Sequence, residues 1–144
     1  NDYPRMLNVI LDNSNKDSVV LEGGCGLGKF LFFLREKGYK NLITADRKKL
    51  NLLDQKKVFK FLKNQKPNFI FLVAAKVGGI YANTKYKAEY IYNNLSIQTN
   101  IIHSAYLNGV KNLIFLGSIL HNSFQLYVLI FLISNLLNMF FSPG

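Results

Sequence analysis

One cysteine in 144 residues, Cys25, leaves this chain without a disulfide framework. Two histidines and no Cys/His cluster at zinc-ligand spacing leave it without an expected metal site. A reducing, cytoplasmic setting is the default for such a sequence. Asn1–Arg5 carries no basic segment leading into an apolar one, so no secretory leader is expected there, and the lack of an initiating Met points to a piece of a longer product. Charge is missing from one end altogether, since nothing after Lys111 is charged. What remains, 49% hydrophobic and 14% aromatic residues, suits one globular domain with a core that needs no staples.

The net charge of +10 is concentrated between Lys29 and Lys66, where 12 basic residues meet 3 acidic ones. Fifteen of the 18 basic residues are lysines, and they lie on helix-like segments without interleaved stacking aromatics. That pattern fits a solvated face, or attraction of a phosphorylated small molecule, and excludes a nucleic-acid partner as the expectation.

Apolar runs and turn signals alternate from residue 18 onward. Ser18–Glu22 reads as a strand ending in a glycine cluster, and Phe30, Leu31, Phe33 and Leu34 fall at helical spacing over 29–37 before Gly38 stops them. A strand over 41–45 precedes an amphipathic helix over 55–65, with Val58, Phe59 and Leu62 on one face and Pro67 closing it. A wholly apolar strand over 69–75 suits a position covered on both faces. A long helix over 84–107 ends at Asn108-Gly109, and a strand over 112–117 follows. Strands alternating with helices of ten or more residues predict an α/β, Rossmann-like three-layer fold with a parallel sheet. Met6, Leu7, Val9, Ile10 and Leu11 add a leading amphipathic helix capped by Asn13-Ser14-Asn15. Residues 1–118 are thus expected to form a partial nucleotide-binding domain, and 119–144 an apolar tail read as a C-terminal helix. Its stretch 124–141 is marginal in length for a membrane span and lacks flanking charges, so a core helix or a segment foreign to the domain competes with a membrane helix.

The glycine cluster follows a strand and opens a helix, where backbone N–H groups and the helix dipole suit a nucleotide. A GxxGxxG loop starting at Gly23 would need its last glycine at Lys29, and it fails there. Glu22 with Gly24, Gly26 and Gly28 gives ExGxGxG instead, which resembles the first motif of S-adenosylmethionine-dependent methyltransferases. That family uses the acid and the open loop to hold its cofactor without a pyrophosphate; a tight strand–helix turn is the plain alternative. At the end of the second strand, Asp46 suits a ribose hydroxyl and Arg47 a ribose phosphate, so the pair leaves the dinucleotide type open, beside the reading of an exposed ion pair.

Between Lys37 and Ser118 a denser pattern appears: Leu50-Asn51-Leu52-Leu53-Asp54, Ala74-Ala75-Lys76-Val77-Gly78-Gly79-Ile80, Ile91-Tyr92-Asn93-Asn94, Asn100-Ile101-Ile102-His103-Ser104-Ala105 and Leu113-Ile114-Phe115-Leu116-Gly117-Ser118. This stretch resembles the GDP-L-fucose synthases, NADP-dependent epimerase/reductases of the extended short-chain dehydrogenase family. The resemblance implies NADP(H) as cofactor, S-adenosylmethionine being the alternative from the front segment, and a GDP-sugar, GDP-4-keto-6-deoxy-mannose, as substrate. It implies Arg47 near the 2'-phosphate, Asp54 near the adenine, and Ala74, Ala75 and Lys76 beside the cofactor. Val77, Gly78 and Gly79 would lead toward the sugar, with Ser118 as the catalytic serine on the keto oxygen. It also implies a possible homodimer through 84–107. The family's Tyr-x-x-x-Lys pair should follow Ser118 and does not; Tyr81 and Lys85 have the spacing but precede it. Cys25 lies in the wrong element for the family's protonating groups, and His103 is expected to pack on its helix. The expectation is a truncated, cofactor-binding part, inactive alone.

Overall fold

A computed structural model of the chain describes residues 8, 10–24, 29–46, 48–73, 85–119 and 127–130. Their order is β1 (Val20–Gly23), α1 (Lys29–Glu36), β2 (Leu42–Ala45), α2 (Gln55–Gln65), β3 (Phe69–Leu72), α3 (Lys87–Leu107), β4 (Asn112–Ile119) and β5 (Tyr127–Ile130). The sheet runs β2-β1-β3-β4-β5, with the first four strands parallel. This is the expected α/β arrangement.

The connections explain the layers. From β1 the chain steps outward to β2, then crosses back over β1 to β3 and on to β4. A right-handed crossover places a helix on opposite faces for opposite directions of travel. Accordingly α1 packs with Ile10 on one face, against Val20, Phe69, Phe71 and Ile114. On the other face α2 and α3 pack over Leu21, Ile70, Leu72, Leu113 and Phe115. The leading segment, helical over 10–13, thus finds its partner in α1 and the sheet. Each residue of β3 is buried, as its unbroken apolar run requires.

Local signals set the helix ends. Gly38, at φ 90°, lets Tyr39 N–H reach back to the Leu34 carbonyl and closes α1. Asp54 caps α2 at its N-terminus, and Lys66 at φ 46° closes it before Pro67. In α1, Phe30, Leu31 and Leu34 are buried and Phe33 packs beside them, leaving Phe32 65% exposed. In α2, Val58 and Leu62 are buried with Phe61 against the core, where the sequence pattern had pointed to Phe59. On that side α3 lies along α2, and Phe61 packs against the cluster the two helices share, while Phe59 is half-buried.

Two expectations need correction. Residues 127–130 of the tail form a strand, antiparallel to β4, with Ser118 opposite Val128; they are not part of a C-terminal helix. An open β4 edge offers unpaired backbone groups, and Tyr-Val-Leu-Ile is rich in residues that suit a strand. The rest of 120–144 lies outside the described residues. His103 is exposed on α3 rather than packed, because it falls between the buried positions Ile101 and Ser104-Ala105. Among the described residues no helix is long and apolar enough to cross a membrane.

Candidate functional site

The direction of travel reverses between β1 and β3, so the helices that follow these two strands leave on opposite faces of the sheet. In open α/β sheets a crevice forms at that point, outside the carboxyl ends of the strands. Here it is marked by Gly23, in register with Ala45 on one side and Leu72 on the other. A Cβ at Gly23 would lie 3.0 Å from Leu72 Cδ1, so a side chain there forces the strands or that leucine to yield. The chain leaves β1 through Gly24 at φ 81°, a left-handed conformation that favours glycine, while its N–H donates to the Ala45 carbonyl at 3.2 Å. Val73 N–H donates to the Gly23 carbonyl at 2.9 Å, which ties the exit of β3 to the same corner.

The expected site residues divide into four groups. Gly23, Gly24 and Asp46 meet at the carboxyl ends of β1 and β2. Asp46 Oδ1 accepts from the N–H groups of Lys48 and Lys49 at 3.0 and 2.9 Å, so one of its oxygens shapes the turn after β2. Asp54 is farther along, at the head of α2, where Oδ1 accepts from Lys57 N–H and Oδ2 lies 3.2 Å from Lys57 Nζ. These bonds hold its carboxyl below the usual range. Ser118 sits on β4 three residues beyond Phe115, the last residue paired with β3, and so about 10 Å past that row toward the same end of the sheet. Gly26, Gly28, Arg47, Ala74, Ala75, Lys76, Val77, Gly78 and Gly79 lie outside the described residues, as do Cys25 and Tyr81.

Sequence reasoning missed two supports. Asn100 on α3 donates to the Leu52 carbonyl at 2.9 Å, fixing the loop that presents Asp54. Lys49 Nζ donates to Thr44 Oγ1 at 2.9 Å, placing a cation against the end of β2. It also gave no account of how Glu22 sits. Val20 and Glu22 share a face of β1, and Val20 packs under α1, so Glu22 is carried into that layer at 3% exposure. Its carboxyl accepts from Leu31 N–H in the first turn of α1, and burial outweighs this bond, raising the group from 4.5 to about 7. Its Oε2 has no hydrogen-bond partner among the described residues.

Residues 28–121, more than half of the chain, match the NAD dependent epimerase/dehydratase family. The chain is 52% identical over 85 residues to GDP-L-fucose synthase 1 of Arabidopsis thaliana, covering 59% of this chain and 26% of that protein. It is 46% identical over 85 residues to the GDP-L-fucose synthase of Escherichia coli (strain K12), with the same coverage. Among solved structures, MlghC, a GDP-mannoheptose C4 reductase from Campylobacter jejuni with NADP bound, superposes with a TM-score of 0.68 at 37% identity, over 73% of this chain and 34% of that one. The chain therefore spans about a quarter of the length of the curated relatives it matches. A parallel sheet with its crevice at the β1/β3 reversal, and this match through β4, agree that the chain belongs to the NAD dependent epimerase/dehydratase family.

Proposed function

We propose that this chain is the NADP(H)-binding part of a nucleotide-sugar epimerase/reductase of the GDP-L-fucose synthase type. The observation that carries the reading is the 46–52% identity to GDP-L-fucose synthases over 85 residues. The corner at Gly23 and Gly24 supports it, because a Cβ at Gly23 would meet Leu72 and Gly24 takes a left-handed conformation, the kind of tight glycine turn on which a dinucleotide fold closes its first strand. Gly23, Gly24, Gly26 and Gly28 would face the cofactor's phosphates, Asp46 and Arg47 its ribose, and Asp54 its adenine edge. Ala74, Ala75 and Lys76 would line its path, and Val77, Gly78 and Gly79 the approach of the GDP-sugar. NADP(H), when bound, supplies the hydride; Ser118 would hold the substrate's keto oxygen by a hydrogen bond. No Tyr-x-x-x-Lys follows Ser118 in this chain, so it is expected to bind cofactor and to reduce nothing by itself. A cytoplasmic setting belongs to the same reading.

A homodimer through α3 is part of the proposal. Ile91, Leu95, Ile102 and Tyr106 repeat at four- and seven-residue steps and stay exposed, with Tyr92 beside them. Sedimentation of the chain against Leu95→Glu tests this: a dimer in the first and a monomer in the second is expected, and a monomer in both sinks it.

The test of cofactor class is thermal denaturation with NADPH and, separately, with S-adenosylmethionine, since a ligand of the native state raises the midpoint. A rise with NADPH alone is expected. A rise with S-adenosylmethionine alone would instead favour the methyltransferase-like front, whose acid is the buried Glu22.

A further inference from the structure

The turn after β2 brings a cation back over the end of its own strand. Lys49 N–H donates to Asp46 twice, to Oδ1 at 2.9 Å and to the backbone carbonyl at 3.1 Å, and Leu50 N–H reaches the same carbonyl at 2.9 Å. With Ala45 buried before the turn and Leu50 buried after it, the backbone of Lys49 is fixed. Its ammonium donates to Thr44 Oγ1 at 2.9 Å. Leu42 and Thr44 share a face of β2, and Leu42 packs against the cluster under α1. The ammonium therefore lies at the carboxyl end of β2, on the side of the sheet that carries α1. Lys49 is exposed there, and among the described residues no carboxylate pairs with it.

In open α/β dinucleotide folds the adenosine ribose meets the residues that follow the second strand, where an acid accepts from a 2'-hydroxyl and a cation takes a 2'-phosphate. Asp46, 22 residues after Gly24, stands in the acid's place. Alone, that carboxylate favours a plain ribose and repels a phosphate monoester. Two backbone N–H groups already occupy its Oδ1, and a fixed ammonium on the adjoining strand end turns the local preference toward an anion. An ammonium has three donors, so the bond to Thr44 leaves two for a phosphate. Because the side chain is held in advance, less of its freedom is lost when a ligand arrives.

We propose, resting on the NADP(H) reading above, that Lys49, positioned by Thr44, is a specificity-determining residue of this chain: its ammonium pairs with the cofactor's 2'-phosphate and selects NADP(H) over NAD(H). Lys48, equally exposed, has no side-chain anchor among the described residues and does not share this role.

The test is the affinity for NADP⁺ and for NAD⁺ of the chain and of Lys49→Gln, Lys49→Arg, Thr44→Val and Lys48→Gln, with NAD⁺ binding as the control for folding. Lys49→Gln should weaken NADP⁺ binding about thirtyfold and leave NAD⁺ binding unchanged, as loss of a charge-assisted bond requires. Lys49→Arg keeps the charge and should keep most of the preference. Thr44→Val frees the ammonium and should weaken NADP⁺ binding alone, by about threefold. Lys48→Gln should change the ratio less than Thr44→Val does. Equal losses on both dinucleotides in Lys49→Gln, an unchanged ratio there, or a loss in Lys48→Gln as large as in Lys49→Gln overturns the inference and leaves the cofactor reading standing. An unaltered chain that binds neither dinucleotide overturns both.

Discussion

The chain places a carboxylate at the head of two helices, and the two acids behave in opposite ways. At α2, Asp54 is the residue next to the helix, open to water, bonded to Lys57 N–H and close to the Lys57 ammonium, and its proton is held weakly. At α1, Glu22 reaches the first turn from the preceding strand, under Phe30 and Phe71, and its proton is held strongly. Both receive a backbone N–H from the first turn. The difference lies in water: desolvation costs a buried carboxylate more than one N–H and a helix dipole return. A helix N-terminus therefore does not fix the charge of the acid beside it.

Removing the apolar cover should break the contrast most severely. Phe71→Ala deletes the ring in register with Glu22 and leaves a cavity in that layer, at a cost of about 3–5 kcal/mol. Water entering the cavity should bring Glu22 back toward 4.5, which carbon-detected titration of its carboxyl would follow. An unchanged titration in a folded variant would mean that burial is not the cause of the shift.

Next in size is the pH dependence of stability. The folded-state value of Glu22 is raised, from 4.5 to about 7, so the native state binds the proton more tightly than the unfolded one. Its contribution is fully present below 4.5 and is lost as pH rises through about 7, a fall of up to about 3 kcal/mol. Glu22→Gln should lack this fall and so gain on the unaltered chain at pH 8, with little change in their difference below pH 4.5. Urea midpoints measured across that range decide it, and two curves of the same shape would remove Glu22 as the titrating group.

The same contrast shows which features a sequence exposes. The bounds of α2 were legible because its signals are local: Asp54 before it, Pro67 after it and Val58 with Leu62 at helical spacing. The parallel order of β1 to β4 was legible from helices between apolar runs. The burial of Glu22 was half legible, since it shares a strand face with Val20, but that its Oε2 has no hydrogen-bond partner among the described residues depends on how α1 lies over β1. That Phe61 rather than Phe59 packs on the cluster shared with α3 was not legible, because α3 is remote in sequence. Tyr127–Ile130 became a strand because β4 offered an edge, a circumstance no window of the tail contains. The candidate site was legible as a position, the corner after Gly23, and not as a charge state.

Smaller effects should come from the two ends of α2. Asp54→Ala removes the bond to Lys57 N–H and the ion pair, so stability falls at neutral pH by less than Phe71→Ala costs. Because the folded-state value of Asp54 is lowered from 3.8, its contribution is present above that value and lost as pH falls through the lowered one. The two acids should thus lose their contributions in opposite directions of pH, which a double variant with Glu22→Gln would reveal as a flattened profile. The smallest effect is at the other end, where Lys66 N–H still donates to the Leu62 carbonyl and the residue then adopts φ 46° and ψ 53°, turning the chain out of the helix before Pro67. A side chain costs about 1 kcal/mol in that conformation, and glycine returns part of it as extra freedom in the unfolded chain. Lys66→Gly should therefore stabilise by about 0.5 kcal/mol at every pH. A gain that varied with pH would show that the Lys66 charge, rather than its backbone, matters at this end of α2, and would bring this terminus under the electrostatic rule that governs Asp54.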